Sequence, residues 1–81
     1  MSVFDRIRDI LTQELALKPG AVTMSSNLRQ DFGADSMDAL QIISAIEETF
    51  GIELVEEEAL KLNSVADIVD LVTQQLKEKS P

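Results

Sequence analysis

The sequence predicts an all-α protein, a small four-helix bundle with three longer helices, one short helix and a long loop between helices 1 and 2. Two observations lead to this expectation: apolar residues recur at helical spacing in separate segments, and N-capping pairs precede these segments. No segment of the chain indicates a sheet. At 81 residues the chain has the length of one small domain. We therefore expect a single domain over residues 1–81, with a frayed tail at 78–81.

The first helix is predicted from Val3 to about Leu15. Ser2 and Asp5 form a capping-box pair at its start, and Lys18-Pro19-Gly20 is expected to end the element. The residues expected to face the core share one side of this helix: Val3, Phe4, Ile7, Ile10, Leu11 and Leu15.

A connection follows from Ala21 to Ala34, and its apolar residues show no sustained helical or strand spacing. Loops this long are uncommon in so small a domain and are usually functional or disordered. One turn of helix is expected near the middle of this loop. Four apolar residues are predicted to hold the loop against the bundle: Val22, Met24, Leu28 and Phe32.

The second helix is predicted from Ser36 or Met37 to about Phe50. Asp35 is its expected N-cap, Asp38 stands three residues later, and Gly51 provides the stop. The predicted core-facing residues are Ala39, Leu40, Ile42, Ile43, Ile46 and Phe50. A second face should be polar and open to solvent: Asp38, Gln41, Ala45 and Glu48.

The remainder of the chain predicts one short and one long helix. Ile52 to Val55 is too short to assign, and Glu56 to Leu62 favours a brief helix with acids in its first turn. Ser64 with Asp67 is another capping-box pair, and it opens the last helix. The expected inward residues of that helix are Val65, Ile68, Val69, Val72 and Leu76.

Composition excludes several functions. The chain has no Cys and no His, so a serine has no imidazole to activate it, structural zinc lacks its usual ligands, and neither catalytic nor metal residues are expected. The net charge of −8 should repel nucleic acid and anionic membranes. No apolar run is long enough to span a membrane, and we expect a cytoplasmic monomer.

One motif carries the functional prediction, the run Gly33-Ala34-Asp35-Ser36-Met37-Asp38-Ala39-Leu40 at the end of the loop. It resembles the Asp-Ser-Leu-Asp motif of acyl carrier proteins, and the resemblance extends over nearly the whole chain. It implies a freestanding carrier domain, not an enzyme. It further implies that Ser36 bears a covalent 4′-phosphopantetheine, added by a phosphopantetheinyl transferase, which holds acyl groups as thioesters for separate enzymes, above all those of fatty-acid biosynthesis.

Acidic residues concentrate around this motif. Residues 31–58 contain nine carboxylates and no basic residue. By resemblance, this face would dock acyl-processing enzymes through basic patches, and its residues would be Asp35, Met37, Asp38, Gln41, Glu47 and Glu48. Met37 stands where Leu is usual, and Gln41 stands where fatty-acid carriers commonly have Glu.

Two other interpretations stay open on these residues. One is a specialised polyketide or aminoacyl carrier, which the uncharged Gln41 makes harder to dismiss. The other is an acidic helical interaction module that is never modified. Ser36→Ala separates the second interpretation from a carrier, because only a carrier loses its function with the hydroxyl.

Overall fold

The computed structural model describes residues 2–79 and confirms the all-α prediction. Four α-helices follow one another in these residues: α1 (Val3–Leu15), α2 (Ser36–Phe50), α3 (Glu56–Ala59) and α4 (Val65–Lys79). A 3₁₀ turn at Pro19–Ala21 lies in the long connection between α1 and α2. Three longer helices and one short helix are the expected set.

The first helix begins and ends through local hydrogen bonds. The backbone N–H of Asp5 donates to the Ser2 hydroxyl at 3.1 Å, and the Ser2 N–H donates to the Asp5 carboxylate at 3.3 Å, which confirms the predicted capping box. The helix ends at Leu15 as predicted, but Ala16, in the left-handed conformation with φ 54°, caps it before the chain reaches Lys18-Pro19-Gly20.

The core lies where α1 packs against α2 and α4. It is built from aliphatic side chains of all three long helices, joined by residues of the connections. The fully buried side chains are Ile7, Leu11, Ile42, Ile46, Val65, Ile68 and Val72. Because a small domain has little interior to spare, removal of one of these groups should cost a large part of its stability.

Two residues predicted to be packed are exposed instead: Leu40, expected to face the core, and Met24, expected to hold the loop against the bundle. Leu40 is 48% exposed and Met24 is 42% exposed. For Leu40 the reason is that α3, the element on that side, is a single short helix and leaves a groove against α2. Among the other predicted loop anchors, Val22 and Leu28 are buried and Phe32 packs partly against the core.

The long loop is hydrogen-bonded to the start of α4. Val65 N–H donates to the carbonyl of Ser26 at 2.9 Å, and Ala66 N–H donates to that of Met24 at 3.0 Å. The first N–H groups of a helix have no partner within the helix, so the loop carbonyls satisfy two of them. Leu28 N–H adds a bond to the carbonyl of Asn63 at 2.8 Å, which ties the loop to the segment before α4.

The short helix is shorter than the predicted span of Glu56 to Leu62. It ends at Ala59, and two bonds of the 3₁₀ type, from Lys61 and Leu62, tighten the chain beyond it. The predicted capping box of Ser64 and Asp67 is present at the start of α4. Residues 78 and 79 of the predicted tail belong to α4, and residues 80 and 81 lie outside the described residues.

Candidate functional site

The candidate site is built around Ser36, the first residue of α2. Asp35 caps the helix: its carboxylate accepts the N–H of Asp38 at 2.9 Å, while the Asp38 carboxylate accepts the N–H of Asp35 at 3.2 Å. Capping therefore does not require the Ser36 hydroxyl. Ser36 is exposed, and it lies where unpaired N–H groups give the helix a positive end.

The loop before Ser36 turns through Gly33. Its φ of +67° is a left-handed conformation that glycine adopts without steric cost. An added Cβ would meet nothing within 4 Å, so it is the backbone conformation rather than space that favours glycine here. The next residue, Ala34, is buried and donates its N–H to the carbonyl of Leu28 at 2.9 Å. These contacts hold the start of α2 against the loop.

A cleft of about 170 Å³ lies beside Ser36, between the loop, α2 and the segment from α3 to α4. Part of its apolar lining comes from Leu60 and Leu62, and its polar lining comes from Asn27, Arg29, Asp35, Ser36 and Asn63. This mixture suits a phosphopantetheine arm, which is an anionic phosphodiester followed by amide groups and a short alkyl chain. Arg29 adds a positive charge to this lining, and Asn27 and Asn63 add side-chain amides.

A second groove, of about 260 Å³, lies between α2 and α3. Its apolar lining includes Ile43, Leu54 and Leu60. It shares Ala39, Ala59 and Leu60 with the cleft beside Ser36, so the two spaces adjoin. An apolar chain that began near Ser36 could therefore reach this groove.

The predicted partner-facing residues differ in their surroundings. Met37 is 68% exposed, and Gln41 and Glu48 are exposed on the same side of α2. Glu47 is half-buried, and its carboxylate accepts the backbone N–H of Leu54 at 3.0 Å. One of its oxygens thus holds the chain that follows α2.

Sequence reasoning missed two residues near the site. Arg29 lines the cleft beside Ser36, and Glu14 of α1 lines a groove together with Met37, Gln41 and Glu48 of α2. Glu14 carried one local signal, because a carboxylate in the last turn of a helix opposes the helix dipole. Only the packing of α1 on α2 brings it to this surface.

Two further geometric findings concern residues 2–79. They contain no group of three or more acidic residues that could hold a metal ion. None of their helices combines the length and the apolar character needed to cross a membrane.

The chain is similar to known carrier proteins over nearly all of its length. The family described as "Phosphopantetheine attachment site" matches residues 5–72. The Campylobacter hominis protein named "Acyl carrier protein" is 40% identical over 79 residues, which are 98% of this chain and 100% of that protein. The Campylobacter curvus protein of the same name is 43% identical over 89% of this chain and 94% of that protein. The Clostridium acetobutylicum protein of the same name is 38% identical over 94% of this chain and 99% of that protein.

Proposed function

The chain belongs to the acyl carrier protein family, a family of carriers rather than catalysts, and we propose that its 4′-phosphopantetheine is attached to Ser36. The observation that carries this proposal is that the helix cap and the exposed hydroxyl at the start of α2 belong to different residues. Asp35 caps the helix, and the Ser36 hydroxyl beside it is exposed next to a cleft of about 170 Å³.

Ser36 contributes an oxygen nucleophile and little else to the loading reaction. The chain has no histidine to remove the hydroxyl proton, so that task falls to the transferase. When bound, the arm supplies a thiol that holds an acyl group as an activated thioester. The protein contributes the anchor, a surface for enzymes to recognise and a groove for the chain. Tethering also raises the effective concentration of the acyl group at each enzyme.

The cargo that the grooves favour is a saturated acyl chain, and we propose a role in fatty-acid biosynthesis. Ile43, Leu54 and Leu60 offer the chain an aliphatic lining between α2 and α3. Each methylene that leaves water for such a surface contributes about 0.8 kcal/mol. A polar polyketide or an aminoacyl group would gain much less from this lining.

The partners that this surface fits are a phosphopantetheinyl transferase and acyl-processing enzymes with basic patches. The support is the charge around Ser36, where residues 31–58 contain nine carboxylates and no basic residue. Opposite charges steer encounter and set orientation, and salt screens both effects. The setting that we propose is a monomer in the cytoplasm, and the absence of cysteine suits that reducing compartment.

Loading is tested by intact mass before and after treatment with a phosphopantetheinyl transferase and coenzyme A. Wild type and Ser25→Ala should each gain the mass of one phosphopantetheine, whereas Ser36→Ala should gain none. Ser25 is a matched control because it is also an exposed serine. Gain of the same mass by Ser36→Ala would refute the assignment. If folded, unmodified wild type gains no mass with any of several transferases, the unmodified interaction module is favoured.

The fatty-acid assignment is tested by melting the protein with saturated acyl chains of increasing length on the arm. The melting temperature should rise with chain length, because each added methylene is buried. Ile43→Ser, on the groove lining, should reduce this rise relative to its own unacylated form. A melting temperature that is independent of chain length, or one that β-keto chains raise equally, would favour a specialised carrier.

A further inference from the structure

Among the described residues that line the cleft beside Ser36, only Arg29 carries a positive charge. In the sequence it stands just before residues 31–58, which contain nine carboxylates and no basic residue. The turn of the loop thus brings a cation to the same space as Ser36, at the edge of the most acidic part of the chain. This placement calls for a physical explanation.

The loop holds the backbone of Arg29 from both sides. Its N–H donates to the side-chain oxygen of Asn27 at 3.0 Å, and its carbonyl accepts the N–H of Gly33 at 3.0 Å. The preceding residue, Leu28, is buried and donates its N–H to the carbonyl of Asn63 at 2.8 Å. These contacts fix the point from which the Arg29 side chain departs. A group held in advance loses less conformational entropy when it binds a ligand.

No described carboxylate neutralises the Arg29 guanidinium. Arg29 is exposed, and the ion pairs among the side chains that the structure describes both belong to Arg8. The three acids that follow Arg29 in the sequence each accept a backbone N–H instead: Asp31, Asp35 and Asp38. The five N–H donors of the guanidinium therefore remain available to an anion in or beside the cleft.

A phosphodiester on Ser36 would add a negative charge beside two others. Asp35 and Asp38 flank the serine, and their capping bonds keep both carboxylates at the start of α2. Like charges repel, and the partial positive charge of a helix N-terminus is smaller than that of the two carboxylates. Because residues 31–58 supply no cation, Arg29 is the counter-charge that the lining of the cleft provides.

We propose that Arg29 is a positioning residue for the arm, whose guanidinium pairs with the phosphodiester on Ser36 and directs the arm into the cleft. Past this ion pair, Asn27 and Asn63 offer side-chain amides to the amide groups of the arm, and the cleft adjoins the groove between α2 and α3. An arm held at its root by Arg29 lies toward that groove rather than along the solvent face of α2. The inference rests on the proposed function, because the phosphodiester exists only on modified Ser36.

The test compares the melting temperatures of unmodified and fully loaded protein at low salt. Attachment of the arm should change the melting temperature of Arg29→Gln by about 2–4 °C less favourably than that of wild type, the size expected for one exposed ion pair in so small a domain. Arg29→Lys should behave like wild type, because an ammonium also pairs with a phosphate. Lys61→Gln is the matched control, since it removes a positive charge from an exposed residue that is not part of the cleft lining. High salt should largely abolish the difference between wild type and Arg29→Gln.

Phosphorus NMR of the loaded protein reports on the ion pair itself, because the phosphodiester holds the only phosphorus atom of the arm. The resonance of wild type should differ from that of Arg29→Gln and should move toward it as salt is added. The resonance of Lys61→Gln should coincide with that of wild type.

The outcomes separate this inference from the proposed function. Normal loading of Ser36, with an arm that affects the melting of Arg29→Gln and Lys61→Gln equally, would overturn the role of Arg29 and leave Ser36 as the attachment site. An equal loss of stability in unmodified and loaded Arg29→Gln, with the phosphorus resonance of wild type, would mean that Arg29 only stabilises the loop and would also refute the inference. Absence of loading in wild type would overturn both.

Discussion

Replacement of Asp35 should separate the two tasks that this residue performs at the start of α2. Its carboxylate accepts the Asp38 N–H at 2.9 Å, and it also carries a charge beside Ser36. Asp35→Ala removes the cap and the charge together. Loss of an N-cap costs about 1 kcal/mol, within a range of about 0.5–2 kcal/mol. For a domain of this size, 1 kcal/mol corresponds to a fall of roughly 4–8 °C in melting temperature.

Asp35→Asn is the matched variant, because asparagine caps a helix about as well as aspartate but has no charge. Its melting temperature should stay close to that of wild type. Its rate of loading by a transferase should nevertheless fall at low salt, and the loss should shrink as salt is added. Urea unfolding measures the change in the free energy of unfolding of each variant directly, provided that the m-value is unchanged. Two results would refute the reasoning. One is a free energy of unfolding of Asp35→Ala equal to that of wild type, and the other is a loss of stability in Asp35→Asn as large as that in Asp35→Ala.

Three other expectations concern stability. Hydrogen bonds, first that from the backbone N–H of Ser64, hold the pKa of Asp67 below its ordinary value. The stability from this lowered pKa is therefore present above about pH 4 and is lost as pH falls through the folded value, so the melting temperatures of wild type and Asp67→Asn should converge in acid. Arg6 lies 4.8 Å from the centroid of the Phe50 ring and donates to the Thr49 carbonyl at 3.3 Å, at the negative end of α2. Arg6→Met should therefore cost about 1 kcal/mol in urea unfolding, and an unchanged midpoint would contradict the contact. Added NaCl or Mg²⁺ should raise the melting temperature of wild type by screening the clustered carboxylates of residues 31–58, and unchanged melting would mean that their repulsion is small.

The helices could be predicted because their boundary signals are local in sequence. The pairs Asp35 with Asp38 and Ser64 with Asp67 each lie three residues apart, and both form the bonds that their spacing predicts. Gly51 ends α2 in the left-handed conformation for the same kind of local reason. Ser36 was singled out by the resemblance of residues 33–40 to the motif of acyl carrier proteins, which is also a local pattern.

What could not be predicted depends on which elements meet in space. The period of α2 indicates an apolar face that includes Leu40, but not that the element opposite is a single short helix that leaves Leu40 exposed. Glu14 is 22 residues before Ser36, and only the packing of α1 on α2 brings it into a groove lined by residues of α2. The resemblance implied that Glu47 faces partners, whereas its bond to the Leu54 N–H depends on how the chain turns after α2.

The attachment of the arm to Ser36 is tested most directly by peptide-level mass spectrometry of wild-type protein loaded with a phosphopantetheinyl transferase and coenzyme A. Fragmentation of the modified peptide identifies the residue that carries the arm. We predict that the whole modification lies on Ser36, the exposed hydroxyl next to the cap of α2. Modification of Ser25 or Ser44, which are also exposed serines, would contradict the assignment and the mechanism built on it.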